Sequence, residues 1–179
     1  MFNGYFDAQG ACLFGMTGKK IRQYPAYTGL TSLGMCVRND VVDRQTRAFM
    51  KAIGYRGIYD SCDGQYKVLD VNPRIGATFR LFAADNGMDV IRALYLDLTG
   101  QPVEPGATPA GRKWLVEDCD LVSSIRYLRD GKLTLKEWFL SHRGVRETGL
   151  FAIDDPLPAL WMGIRDLTEA LSRKIARAA

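Results

Sequence analysis

The chain of 179 residues is poor in histidine and contains no long apolar run. His142 is its only histidine, which excludes a metal site that needs two imidazoles and argues against a Ser-His-Asp hydrolase. No stretch approaches the roughly 20 apolar residues that cross a bilayer, and the start lacks a basic region followed by an apolar core. We therefore expect neither a membrane span nor a secretion signal.

The cysteines are few and lie far apart. Cys12, Cys36, Cys62 and Cys119 form no C-x-x-C pair, and a chain of this length does not depend on disulfides for its core. They are predicted to be reduced, packed thiols, which favours a cytoplasmic location.

No long segment of the chain is rich in charges of one sign. The 24 basic and 20 acidic residues are spread along the chain, so the net charge of +4 forms no basic stripe with interleaved aromatics. Such a stripe is the usual electrostatic footprint of a nucleic-acid-binding protein, and we expect no nucleic-acid partner. With 47% hydrophobic and 25% charged residues, the composition is typical of a globular protein with one main domain.

Hydrophobic periodicity and turn residues predict strands and helices in alternation through the first hundred residues. Between the two initial strands and the third, the basic segment Gly18–Gly29 is predicted to be a loop or an extended edge. The predicted elements are two strands within 2–16 around an Asp7–Gly10 turn, a strand over 31–37, a helix from Asn39 or Asp40 to Gly54, strands at 57–61 and 65–71 around Asp63-Gly64, and a helix over 88–98.

Composition changes after this region. Residues 101–111 hold three prolines, so the predicted organisation is a domain over 1–103, a linker over 104–111 and a mostly helical extension over 112–179. In the extension, Thr134 and Glu137 form a predicted capping box, and a final helix is predicted over about 159–178. The predicted fold class is α/β (α+β): an antiparallel sheet with helices packed on one side, followed by the helical extension.

The most informative stretch lies around Asp70. On a strand, Asp70 and Asn72 project from one face with their Cα atoms about 7 Å apart, and Pro73 then ends the strand. A carboxylate and an amide oxygen side by side suit Mg²⁺ that also binds the phosphates of a nucleotide. Arg74 and Arg80 follow, and their guanidinium groups suit phosphates or a substrate carboxylate. The alternative for Asp70 and Asn72 is a solvated strand edge.

A second basic cluster lies upstream. Lys19, Lys20 and Arg22 occupy the glycine-flanked segment predicted as a loop, which could approach phosphates. His142 follows a predicted helix, where a favourable interaction with the helix dipole explains it better than catalysis.

The segments Gly57-Ile-Tyr-Asp60, Asp63-Gly64 and Val68-Leu-Asp-Val-Asn-Pro-Arg-Ile-Gly76 resemble the C-terminal half of an ATP-grasp domain, as in biotin carboxylase, carbamoyl phosphate synthetase and the D-alanine ligases. The resemblance runs from Phe2 to about Val103. It implies that Asp60, Asp70 and Asn72 hold Mg²⁺ on the ATP phosphates, with Arg74 beside them. It further implies ATP-dependent ligation, in which a small carboxylate substrate becomes an acyl phosphate that an amine or a thiol captures.

The chain departs from this family in two ways. No part of it matches the adenine-facing half of the domain, so a second polypeptide could supply that half, or the chain could be a truncated, non-catalytic binding module. The Asp63-Gly64 hairpin is also short. A two-residue loop turns Asp60 to the face opposite Asp70, a three-residue loop leaves the two acids about 13 Å apart, and only a looser turn near Gln65 brings both to one ion.

Overall fold

A computed structural model describes residues 1–61, 73–76 and 78–176 of the chain. Within these residues the fold is a mixed α+β arrangement around a six-stranded sheet of order β4-β1-β2-β3-β5-β6. All neighbouring strands are antiparallel except β5 and β6, which are parallel. The elements are β1 (Phe2–Phe6), β2 (Cys12–Tyr24), β3 (Leu30–Cys36), α1 (Asp40–Ala52), β4 (Gly57–Ser61), a 3₁₀ turn (Phe79–Leu81), α2 (Val90–Leu98), β5 (Lys113–Leu115), α3 (Glu117–Arg129), α4 (Leu135–Ser141), β6 (Val145–Thr148) and α5 (Leu157–Ala176).

Side-chain caps determine where the helices begin. The Asn39 side chain accepts hydrogen bonds from the amides of Val41 and Val42, and Asp89 caps α2 in the same way. At the start of α4, Thr134 and Glu137 form the expected capping box. The predicted N-terminal ends of α1 and α4 are confirmed, and α2 begins at Val90, close to its predicted start near Met88.

The two helices of the first hundred residues cover opposite faces of the sheet. Phe2 and Phe6 of β1 pack with Met50 of α1. Tyr5 is an odd number of residues from each of them along the strand, and it lies in the larger cluster with Val90 of α2. Successive side chains of a strand point to opposite faces. The expectation that the helices pack on one side of the sheet is therefore wrong, although the α+β class is confirmed.

The basic segment predicted as a loop or an extended edge contributes the second half of β2, and its remaining residues form the turn before β3. In this strand of 13 residues, Cys12 to Thr17 pair with β1 and Gly18 to Tyr24 pair with β3, so the basic residues are extended. Gly18 makes the close packing possible, because a Cβ atom there would lie 2.8 Å from the ring of the buried Phe82. The pairing with β3 shifts register between Lys20 and Gln23, so the regular alternation of faces breaks at the end of the strand.

The residues after the predicted linker extend the same sheet. Residues 104–111 contain no helix or strand, but β5 then pairs with β3, and Trp114 is buried in the larger core cluster. The short strand β6, which the sequence did not predict, adds to the outer side of β5. In the part of the chain that the structure describes, no helix has the length and apolar character of a membrane span.

Candidate functional site

The residues predicted to hold Mg²⁺ lie at and beyond the end of β4. Asp70 and Asn72, with the Asp63-Gly64 turn, lie outside the described residues. Asp60 belongs to β4, an edge strand among the described elements, and its register partner on β1 is Asn3. The chain therefore enters the predicted metal-binding hairpin from the outer strand of the sheet.

Asn3 is a polar residue of this region that the sequence did not single out. Its side chain is fully buried, and among the residues that the structure describes neither its Nδ2 nor its Oδ1 has a hydrogen-bond partner. Leaving a buried amide unsatisfied costs on the order of 1–3 kcal/mol, so such a group is typical of a site that meets a ligand or performs a structural task. Its only sequence signal is a polar residue within the otherwise apolar strand Phe-Asn-Gly-Tyr-Phe.

The two arginines predicted to act on substrate have different surroundings. Arg74 is exposed, and its one hydrogen bond among the described residues is a long one of 3.4 Å from Nη1 to the carbonyl oxygen of Ile75. Arg80 also faces solvent, but its Nε donates to Glu147 of β6 at 2.8 Å. Glu147 accepts a second hydrogen bond from Arg112. Arg74 is thus the more available cation.

The three basic residues predicted to contact phosphates also separate. Lys19 is exposed, whereas the partly buried Lys20 donates from Nζ to the carbonyl oxygen of Gly29 at 3.2 Å. Arg22 is only 3% exposed and has a set of protein partners in place of the predicted phosphates. Its Nε and Nη2 both donate to the carboxylate of Asp120 at 2.8 Å, and its Nη1 donates to Ser141.

Asp120, on α3, is the centre of a buried polar network that joins the sheet to two helices. The carboxylate is 1% exposed, and besides the two bonds from Arg22 it meets donors from β3, α3 and α4. These further partners are Ser32 Oγ at 3.3 Å, Ser124 Oγ at 3.4 Å, Trp138 Nε1 at 3.3 Å and His142 Nε2 at 3.2 Å. These contacts make Asp120 a buried link between the sheet, α3 and α4.

His142 takes part in this network. It is the C-cap residue of α4, as its predicted place at a helix end requires, and its ring lies 4.8 Å from that of Trp138. Nearby, Lys113 donates from Nζ to the carbonyl oxygens of Ser141 and Arg143. Burial and the positive charge of Arg22 lower the pKa of Lys113.

The described cysteines carry no reactive thiolate. Cys12, Cys36 and Cys119 are free thiols, which confirms the prediction for these three, while Cys62 lies outside the described residues. Burial raises the pKa of each of the three thiols to about 11, so they stay protonated at neutral pH. Within the described ranges, no three His, Cys, Asp or Glu side chains come together in a way that could hold a metal ion.

The chain matches no protein-family model, no curated protein and no solved structure. Its function is therefore inferred from its own residues.

Proposed function

We propose that the chain is the nucleotide- and metal-binding half of an ATP- and Mg²⁺-dependent ligase, which joins a small carboxylate to an amine or a thiol through an acyl phosphate. The proposal also assigns this α+β fold to a particular type, the C-terminal subdomain of an ATP-grasp domain. The observation that carries it is the exposed guanidinium of Arg74, which immediately follows the Asp70-Val-Asn72-Pro73 sequence. A cation at this position would meet the phosphates of a nucleotide whose metal is held by Asp70 and Asn72.

The residues of this region suit Mg²⁺. Asp70 and Asn72 offer hard oxygen donors, which this ion prefers. Asn3, whose buried amide has no hydrogen-bond partner among the described residues, lies in register with Asp60 and would supply a further polar group beside the strand that leads to the hairpin. When bound, Mg²⁺ would neutralise charge on the phosphates.

The protein's own part in the reaction would be positioning. Arg74 would hold a phosphate or carboxylate through two parallel hydrogen bonds, and the exposed ammonium of Lys19 would add positive charge. The Lys20 ammonium, which donates to the carbonyl oxygen of Gly29, would have to donate to a phosphate as well. Arg22 would not contact the phosphates, because Asp120 binds its guanidinium. Phosphoryl transfer depends chiefly on such positioning and charge neutralisation, so no covalent nucleophile is required.

Isothermal titration of the full chain with ATP, with and without Mg²⁺, tests the proposal. Asp70→Ala and Asn72→Ala are each expected to weaken Mg²⁺-dependent ATP binding by at least about tenfold, or about 1.4 kcal/mol, because each removes a metal ligand. Arg74→Ala is expected to weaken ATP binding with and without the metal, and Arg74→Lys to restore part of the loss. Far-UV circular dichroism should show that all of these variants remain folded.

The matched control is Asp154→Ala, which removes an exposed carboxylate far along the chain. It should bind MgATP as the unaltered chain does. An Asp70→Ala or Asn72→Ala variant whose MgATP titration equals that of the unaltered chain would remove this assignment.

A second candidate is a non-catalytic interaction module or one half of a split ligase, and an exposed apolar stripe on α5 favours it. Leu157, Leu160, Trp161 and Ile164 follow helical spacing, and each is more than half exposed. Ile153, just before the helix, is 92% exposed. Apolar side chains grouped in this way are typical of a protein–protein contact.

Sedimentation velocity over a range of protein concentrations tests the stripe. The unaltered chain is expected to self-associate, and Trp161→Glu is expected to shift it to the monomer, because a charge in the contact loses its hydration. Tyr95→Glu, at an exposed aromatic position of α2, is the control and should leave association unchanged. If the unaltered chain stays monomeric at every concentration, the stripe is not a contact between copies.

A further inference from the structure

A cavity lies between α3 and the turn that joins β2 to β3. Its volume is about 320 Å³, which falls within the range of roughly 300–1,000 Å³ common for small-molecule sites. One wall comes from the turn and the other from one face of the helix. The lining residues are Tyr24, Pro25, Ala26, Tyr27, Val122, Ser123 and Arg126.

The wall formed by the turn is aromatic and rigidly held. Tyr24 and Tyr27 are both partly exposed, and the backbone of Tyr27 has a φ of +71°, which is an unusual value for a bulky residue. Tyr127 of α3 holds Tyr27 in place: its Oη accepts a hydrogen bond from the Tyr27 amide at 3.0 Å, and the ring centroids are 4.6 Å apart. Strained residues that are fixed in this way are typical of ligand clamps.

The base of the turn is also fixed. The carbonyl oxygen of Gly29 accepts hydrogen bonds from Lys20 Nζ and Gln23 Nε2, and the Gly29 amide donates to Pro25. The cavity is therefore formed before any ligand binds, which lowers the entropy cost of binding.

The wall formed by the helix supplies one exposed cation. Ser123 is a buried part of this wall, and among the described residues its Oγ has no hydrogen-bond partner. Arg126 is mostly exposed, and its Nε donates to Asp130 at 2.9 Å. Within the described part of the chain, no hydrogen bond from its two Nη atoms is seen, so the outer edge of the guanidinium can receive an anion.

We propose that this cavity binds a small planar acid, which is an aromatic or heteroaromatic ring that bears a carboxylate. The ring would pack against Tyr24 and Tyr27, because aromatic side chains favour stacked and edge-to-face contacts with other rings. The carboxylate would receive hydrogen bonds from the Nη atoms of Arg126, whose planar cation matches its geometry. None of these residues belongs to the proposed nucleotide site, so a failure of one proposal would not affect the other.

Ligand-observed saturation-transfer NMR and calorimetric titration of the full chain test the proposal with benzoate, nicotinate and indole-3-carboxylate. Each acid is compared with its neutral carboxamide. At least one acid is expected to bind about tenfold more tightly than its carboxamide, since a hydrogen bond to a charged group contributes on the order of 1.5–3 kcal/mol. Arg126→Gln should bring the affinity for the acid down to that for the carboxamide.

Two further variants locate the binding. Val122→Trp, at a half-exposed position on the cavity wall, is expected to fill the cavity and to abolish binding of acid and carboxamide alike. Arg129→Gln is the matched control: it removes an exposed arginine one turn further along α3, outside the cavity, and should change nothing.

Binding of none of the three acids to the unaltered chain would overturn the proposal, and so would full binding to Val122→Trp. Equal affinity for acid and carboxamide would overturn the role of Arg126. A titration of Val122→Trp with MgATP distinguishes the two sites, because nucleotide binding should persist when the cavity is filled.

Discussion

Asp120→Ala is expected to lower the free energy of unfolding by about 3–5 kcal/mol, the usual cost of breaking a buried ion pair from one side. The substitution leaves the guanidinium of Arg22 buried without its two carboxylate bonds and removes the acceptor that Trp138 and His142 share. A domain of this size has a total stability of about 5–15 kcal/mol, so the loss is a large part of the whole. Urea unfolding followed by circular dichroism measures it.

The double variant Arg22→Met/Asp120→Leu provides a sharper test of the cause. Replacing both members of a buried pair by apolar residues of similar size removes the stranded charge, so the double variant should be more stable than Asp120→Ala. Asp154→Ala, at an exposed position, serves as the control and is expected to change stability by less than about 0.5 kcal/mol. An unfolding midpoint of Asp120→Ala equal to that of the unaltered chain would show that the network contributes nothing to stability.

Phe82→Ala is expected to cost about 3–5 kcal/mol, the usual range when a buried aromatic side chain is truncated and leaves a cavity. Phe82 is fully buried at the end of the segment that carries Arg74 and Arg80. Its ring lies directly over Gly18 of β2, and the glycine leaves no Cβ that could fill the space.

The matched control is Phe139→Ala, because Phe139 of α4 is 68% exposed. This second truncation should change the free energy of unfolding by less than about 0.5 kcal/mol. Equal losses in the two variants, measured by urea unfolding, would contradict the packing of Phe82 against β2. Because Phe82 anchors the segment after the predicted metal site, its loss should also weaken any MgATP binding.

Local signals predicted the helices well. Asn39 and Thr134 each cap the helix that the sequence assigned to them, since a cap is decided by a few adjacent residues. The turn at 7–10 and the third strand also lie where their residues predict them. These features need no knowledge of distant contacts.

Features that depend on distant partners could not be predicted in the same way. Glycine and proline near Arg22 predicted a loop or an extended edge, whereas pairing with β3 makes Gly18 to Tyr24 the second half of a long strand. Arg22 is buried because Asp120, 98 positions away, meets it. The strand β6 is short and pairs in parallel, so it has no local hairpin signal.

The candidate metal site has a different status. The sequence supplies Asp70 and Asn72, which lie outside the described residues, and their role stays a prediction. The structure adds that the buried Asn3 lies in register with Asp60 and that Arg74 is exposed, neither of which periodicity alone could establish. The cavity beside α3 is lined by residues about 100 positions apart in the sequence, so no local motif could predict it.

Glu147 ties two distant parts of the chain to each other through its paired arginines. Arg80, six residues after Arg74, and Arg112, just before β5, share this one carboxylate on β6. A movement of the segment around Arg74 would therefore pull on β6, which within the described residues pairs with the sheet through the three residues of β5. If Arg74 binds an anion as proposed, the amide protons of β6 would exchange with deuterated solvent at a rate that changes when the anion is added.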